Sequence, residues 1–105
     1  MPPTISRDQF AQQVDSRFHV ELDGGVGVDL MLTEVTPQMI QRAAAQSYES
    51  FSLFFSGPKE PVLPQKIYTL KHEVLGTLDL FLVPVGIDQR GAQYQAVFNR
   101  MLGVT

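Results

Sequence analysis

The stretch Gly76-Thr77-Leu78-Asp79-Leu80-Phe81-Leu82-Val83-Pro84-Val85-Gly86 decides the fold. From Leu78 to Pro84 only Asp79 is charged. Side chains of an extended chain alternate between faces, so Leu78, Leu80 and Leu82 share one face while Phe81 and Val83 share the other. Both faces are apolar, and both are expected to be covered, as in a central strand or in the wall of a small, well-filled barrel. Pro84 has no N–H to give a ladder. The strand is therefore expected to be central through Val83 and to bend or become an edge at Pro84.

Working outward, Ile67-Tyr68-Thr69-Leu70-Lys71-His72 reads as the preceding strand, with Tyr68 and Leu70 inward. The turn Glu73 to Gly76 joins the two. Tyr48 to Phe55 reads as another strand with Phe51, Leu53 and Phe55 inward and Phe54 on the opposite face. Pro58, Pro61 and Pro64 make the segment Ser56 to Pro64 a rigid loop, because each fixes φ and lacks a donor. On the C-terminal side, Asp88 to Gly91 is a turn, and Tyr94, Ala96 and Phe98 supply a last alternating strand.

In the N-terminal third, Phe18, Val20 and Leu22 alternate with His19, Glu21 and Asp23, the pattern of a half-buried antiparallel strand. Asp23-Gly24-Gly25 is a hairpin signal. Val28, Leu30 and Leu32 continue in phase on the return strand, but Val35 falls out of phase. A bulge near Thr33-Glu34 restores it, or the strand ends there. Ahead of these strands, Ser6 or Thr4 as N-cap, Asp8 in the first turn and the Phe10–Val14 pair predict a helix of two to three turns. Its apolar stripe must dock on the sheet, where it can plug an open end. The segment 37–46 has two readings. Thr36-Pro37 with Met39, Ile40, Ala43 and Ala44 fits a short helix through Ala45, and a long hairpin loop fits as well.

These readings predict a single domain over residues 1–105, mainly β with one or two short helices. The expected architecture is an antiparallel meander of about six strands, or a small partly closed barrel, with the N-terminal helix packed on it. At 105 residues with 44% hydrophobic content, the chain is long enough for a self-sufficient core. It has no cysteine, so neither disulfides nor thiolate chemistry enter. The net charge is −3, and the eight basic residues are scattered rather than clustered, which argues against nucleic-acid binding. No apolar run is long enough to span a bilayer, and Met1 to Gln9 lacks the basic and apolar pattern of a secretory leader. The expectation is a soluble, cytoplasmic protein without membrane insertion.

Phe51-Ser52-Leu53-Phe54-Phe55-Ser56-Gly57-Pro58, Tyr68-Thr69-Leu70-Lys71-His72, Leu75 to Gly86 and Tyr94-Gln95-Ala96-Val97-Phe98-Asn99 together resemble the signature of a family of small bacterial domains of unknown function. The likeness covers nearly the whole chain, including Phe10, Phe18 and Leu32. It implies no established activity. It does imply association with phage-tail-collar-like or microcystin-dependent-type proteins, and hence an accessory part in a tail-like or surface assembly. Residues 37–46 depart from the family pattern in being longer and richer in alanine.

Chemistry-bearing motifs are weak. Gly25-x-Gly27 hints at a phosphate loop, but Leu30 stands where the third glycine belongs and a strand follows instead of a helix. His19 and His72 lack a convergent set of ligands, because His72 and Glu73 alternate to opposite faces and His19 shares a solvent face with Glu21. The expected roles are a surface His19 and a strand-end His72 bonded to local backbone. Ser52 and Ser56 have no base nearby in sequence and no Gly-x-Ser-x-Gly context. No catalytic residue, cofactor or metal is therefore assigned. The favoured expectation is a non-enzymatic module that self-associates or binds a protein partner through an uncovered strand edge or the Phe54 face, flanked by Gly57 and Pro58. The alternative is a small-molecule-binding barrel or minor enzyme with Tyr68, His72 and Tyr94 at its mouth.

Overall fold

The computed structural model describes residues 5–44 and 46–104, with the side chains of Asp23 and of 102–104 left aside. The described residues form seven strands, one short α-helix and a 3-10 turn at Asp23–Gly25, in the order α1 (Arg7–Ala11), β1 (Arg17–Glu21), the turn, β2 (Gly27–Val35), β3 (Met39–Ala43), β4 (Gln46–Gly57), β5 (Lys66–His72), β6 (Gly76–Asp88) and β7 (Gly91–Val104). The sheet order is β2-β1-β5-β6-β7-β4-β3, and β2 also pairs with β4, which turns six of the strands into a partly closed antiparallel ring. The seventh, β3, lies outside that ring on the first half of β4. Ring closure is tertiary. β4 is long enough to pair with β3 through Gln46 to Ser50 and with β2 through Leu53 to Ser56.

The core is filled by the inward residues that alternation selects: Phe18, Val20, Leu30, Leu32, Leu53, Phe55, Leu70, Leu82 and their neighbours. Phe18 packs edge-on against Phe55 at 5.3 Å between ring centroids. β6 behaves as its sequence demands on one face only, since Leu80 and Leu82 are buried whereas Phe81 is 47% exposed. The expectation of cover on both faces is corrected here. A ring of strands has one filled interior and one outer surface, and no described layer lies over the outer surface at Phe81. The pairing of β6 with β5 ends at Leu82 and its register with β7 shifts between Pro84 and Gly86, so the strand is an edge where Pro84 lacks an N–H. The register of β2 with β4 also shifts, between Leu32 and Glu34, which is the bulge that puts Val35 back in phase.

Two further expectations are revised. The helix is a single capped turn and a half: Ser6 Oγ accepts from Gln9 N–H at 3.1 Å, and Gln9 Oε1 accepts from Ser6 N–H at 2.8 Å. Phe10 is buried but Val14 is exposed, because the helix ends at Ala11 and Asp15, at φ 69°, reverses the chain and gives its N–H to the Leu32 carbonyl. Thr4, the other cap considered, lies outside the described residues. Residues 39–43 are neither helix nor loop but the strand β3, because the extended edge of β4 offers a ladder that overrides a weak helical spacing. Ala43 pairs with Gln46, so the connection is a two-residue hairpin.

Candidate functional site

Cross-strand register assembles an outer face that no single strand shows. On β4 the outward residues are Tyr48, Ser50, Ser52, Phe54 and Ser56; on β7 they are Gln93, Gln95, Val97, Asn99 and Met101. The pairs Tyr48–Met101, Ser50–Asn99, Ser52–Val97 and Phe54–Gln95 set them side by side. Met39 and Gln41 of β3 extend the same face through their pairs with Ser50 and Tyr48. On the other flank, Val83 pairs with Gln95, and Phe81 with Ile67. Across β3, β4 and β7 this face carries no charged side chain. Its larger apolar members are well exposed: Met39 61%, Val97 60% and Met101 58%. Depletion of charge together with methionine and aromatic side chains is the composition of interface centres rather than of ordinary surface.

The inner side of the same strands explains how this face is held out. β3 and the adjoining halves of β4 and β7 project as an arm, and the described chain measures 46 × 30 × 24 Å. At the root of the arm Glu49 and Arg100, directly paired across the ladder, form an ion pair at 3.4 Å. Gln38 Nε2 donates to Glu49 at 2.7 Å, and Arg100 donates to the Ile5 carbonyl at 2.6 Å. The guanidinium stands 5.0 and 5.2 Å from the ring centres of Phe51 and Phe98, which stack at 4.8 Å and receive Phe10 from the helix. One cluster thus ties helix, barrel and arm together.

The other residues singled out in the sequence fall apart spatially. Tyr68 and Tyr94 meet at one end of the barrel, where the proline-rich loop drops Leu63 into the core. Tyr94 Oη accepts from Leu63 N–H at 2.8 Å, and Tyr68 Oη donates to the Pro64 carbonyl at 2.5 Å. Burial raises the Tyr68 hydroxyl above its usual range, helped by Tyr94. Both hydroxyls are thus engaged by the chain itself. His72 lies four residues along β5, about 13 Å away at strand rise. Its Nδ1 accepts from Val74 N–H at 3.0 Å and Leu75 N–H at 3.1 Å, which leaves the proton on Nε2 to face Ser16 Oγ at 2.7 Å. Burial lowers its pKa, with Glu73 opposing. Its ring sits 4.3 Å from that of Phe18. It is a turn-closing group of the core.

Of the three partner candidates, Phe54 is half-buried on the outer face, Pro58 is exposed and Gly57 is buried. A Cβ at Gly57 would stand 2.6 Å from Leu30 Cδ2, and one at Gly91, at φ 123°, would run into the Gly57 carbonyl. Packing against Leu30 and Gly91 thus leaves no room for a side chain at Gly57. Pro58 lines a cleft of about 630 Å³ in which Met31 lies between Arg17 on β1 and Ser56 on β4, with Asp15, Asp29, Thr33 and Arg90 around it. Its cations already face carboxylates: Arg17 reaches Asp29 at 3.8 Å, and Arg90 reaches Asp88 at 3.2 Å. His19 also bonds Asp29, at 2.8 Å. Among the described residues no cluster of three or more metal-ligating side chains forms, and no helix is long and apolar enough to cross a membrane.

What sequence reading missed is the outer face as a whole. Its signal was present in the alternation Ser50, Ser52, Ser56 against Gln93, Gln95, Asn99, but the register that joins them is tertiary. Fold and surface together define a small antiparallel β-barrel domain with an uncharged, partly apolar outer sheet. The chain belongs to the DUF6916 family, a domain of unknown function, whose model matches residues 5–98. No match was found among curated proteins or among solved structures.

Proposed function

We propose that this chain is a non-enzymatic protein-interaction module whose contact surface is the outer face of β3, β4 and β7. The observation that carries the reading is the absence of charge across that face, combined with the exposure of Met39, Val97 and Met101. An accessory place in a tail-like or surface assembly is the setting that the family resemblance suggests, and a partly closed barrel presenting an uncharged sheet face suits such a role. The test uses Val97→Lys and Phe54→Ser. Each places its change on the outer face, so circular dichroism and thermal unfolding are expected to stay close to wild type. Association, read as mass by light scattering and as recovery of a common partner in paired pull-downs, is expected to drop at least tenfold. Unchanged mass and unchanged recovery with both variants would contradict the proposal.

A further inference from the structure

β3 pairs with β4 along one edge, and no described strand pairs with the other. The direction of its free backbone groups follows from the hairpin. Ala43 and Gln46 close a two-residue connection, so they exchange both hydrogen bonds, and the pairs alternate from there. Gln41–Tyr48 and Met39–Ser50 are bonded in the same way, which turns the N–H and C=O groups of Ile40 and Arg42 away from β4. All five residues of β3 are exposed. Neither proline, lysine nor a bulge blunts the edge between Met39 and Ala43, and Arg42 is its only charge.

We propose that the occupant of this edge is a second copy of the chain, its β3 laid antiparallel about a two-fold axis at Gln41. The inference rests on the interaction-module reading and names the partner. With Gln41 on the axis, Ile40 of one copy and Arg42 of the other exchange both backbone hydrogen bonds, and symmetry supplies the second such pair. The charge register favours this choice. An axis at Arg42 would set the two guanidinium groups opposite each other, and an axis at Ile40 would need the backbone of Gln38, which lies outside the strand. A one-residue slip would oppose bonded positions to unbonded ones. The pairing joins two three-stranded arms, each exposed on its outer face and along one edge, into one six-stranded sheet. Met39 and Gln41 then carry the uncharged face of one copy into that of the next.

The cysteine-free chain makes the test clean. Gln41→Cys places a thiol at the symmetric, non-bonded position, where Cα atoms of antiparallel partners lie about 4.5 Å apart, within disulfide reach. Oxidation is expected to give a covalent dimer with Gln41→Cys and none with Thr77→Cys, an exposed control on β6. Wild-type mass by light scattering is expected to double with concentration. Ile40→Pro, which deletes one outward N–H, is expected to remain monomeric at least tenfold higher in concentration. A wild type that stays monomeric at every concentration, with no Gln41→Cys dimer, overturns the pairing. A wild-type dimer that Gln41→Cys does not trap and Ile40→Pro does not weaken also overturns it, and if Val97→Lys then dissolves that dimer the broader reading survives on another contact. Should Ile40→Pro fail to fold, the Gln41→Cys result alone decides.

Discussion

The barrel and the arm are built from the same strands and differ in what their side chains meet. Along β4, Leu53 and Phe55 are sealed inside the ring, while every residue of β3 is exposed and no described layer lies over the outward Tyr48. The barrel gains its stability from burial on one face of every strand. The arm has ladder hydrogen bonds and a single anchor, the Glu49–Arg100 cluster at its root. Hydrophobic closure therefore explains the barrel, whereas the arm leaves its outer face exposed among the described residues.

The sharpest way to break this contrast is to cut into the barrel. Leu80→Ala empties a buried site in β6 and is expected to cost about 2–5 kcal/mol in a urea titration. A loss below about 0.5 kcal/mol would show that the inward face of β6 is not core. The next effect is at the root. Arg100→Ala leaves Glu49 with a buried charge and frees the Ile5 carbonyl, an expected loss of about 2–3 kcal/mol. Glu49→Leu combined with Arg100→Met removes both charges and is expected to recover most of that loss. If the double variant is no better than the single one, the packing of the guanidinium over Phe51 and Phe98 matters more than charge.

A smaller effect is set by pH. His72 is held neutral by burial and by two N–H donors on Nδ1, so its folded pKa lies below the unfolded value of about 6.5. Its contribution to stability is complete above that unfolded value and is lost as pH falls below it toward the folded pKa. Wild-type stability is expected to decline as pH falls below the unfolded value of about 6.5, and His72→Phe is expected to lose that slope. An equal slope in the variant would place the titration elsewhere. The smallest effect belongs to the arm. Met39→Ser is expected to shift monomer stability by less than about 0.5 kcal/mol, since an exposed side chain loses no burial there.

The same contrast decides what was legible in the sequence. Strands that bury one face announced themselves: Phe18 and Val20, Leu30 and Leu32, Phe51 to Phe55, Leu80 and Leu82 all take the predicted phase. The bulge at Thr33 and the passage of β6 to an edge at Pro84 also follow from local chemistry. β3 was hidden because neither of its faces is buried, so Met39 to Ala43 carries no alternation, and the Thr36-Pro37 start favoured a helix. Ring closure by β2 with β4 was hidden because it joins residues far apart in sequence. On the candidate surface, Phe54 was legible from its phase alone. At Gly57 the close approach of Leu30 and Gly91 was not legible, because only the folded chain brings them to it.

The most direct measurement is amide hydrogen exchange followed residue by residue over a hundredfold range of protein concentration. If the arm is a surface completed by a second copy, protection at Ile40 and Arg42 rises with concentration while Leu53, Leu70 and Leu82 in the barrel stay constant. If Ile40 and Arg42 exchange at the same rate at every concentration, the arm is not completed by self-pairing, and the distinction between a finished barrel and an unfinished arm fails in that form.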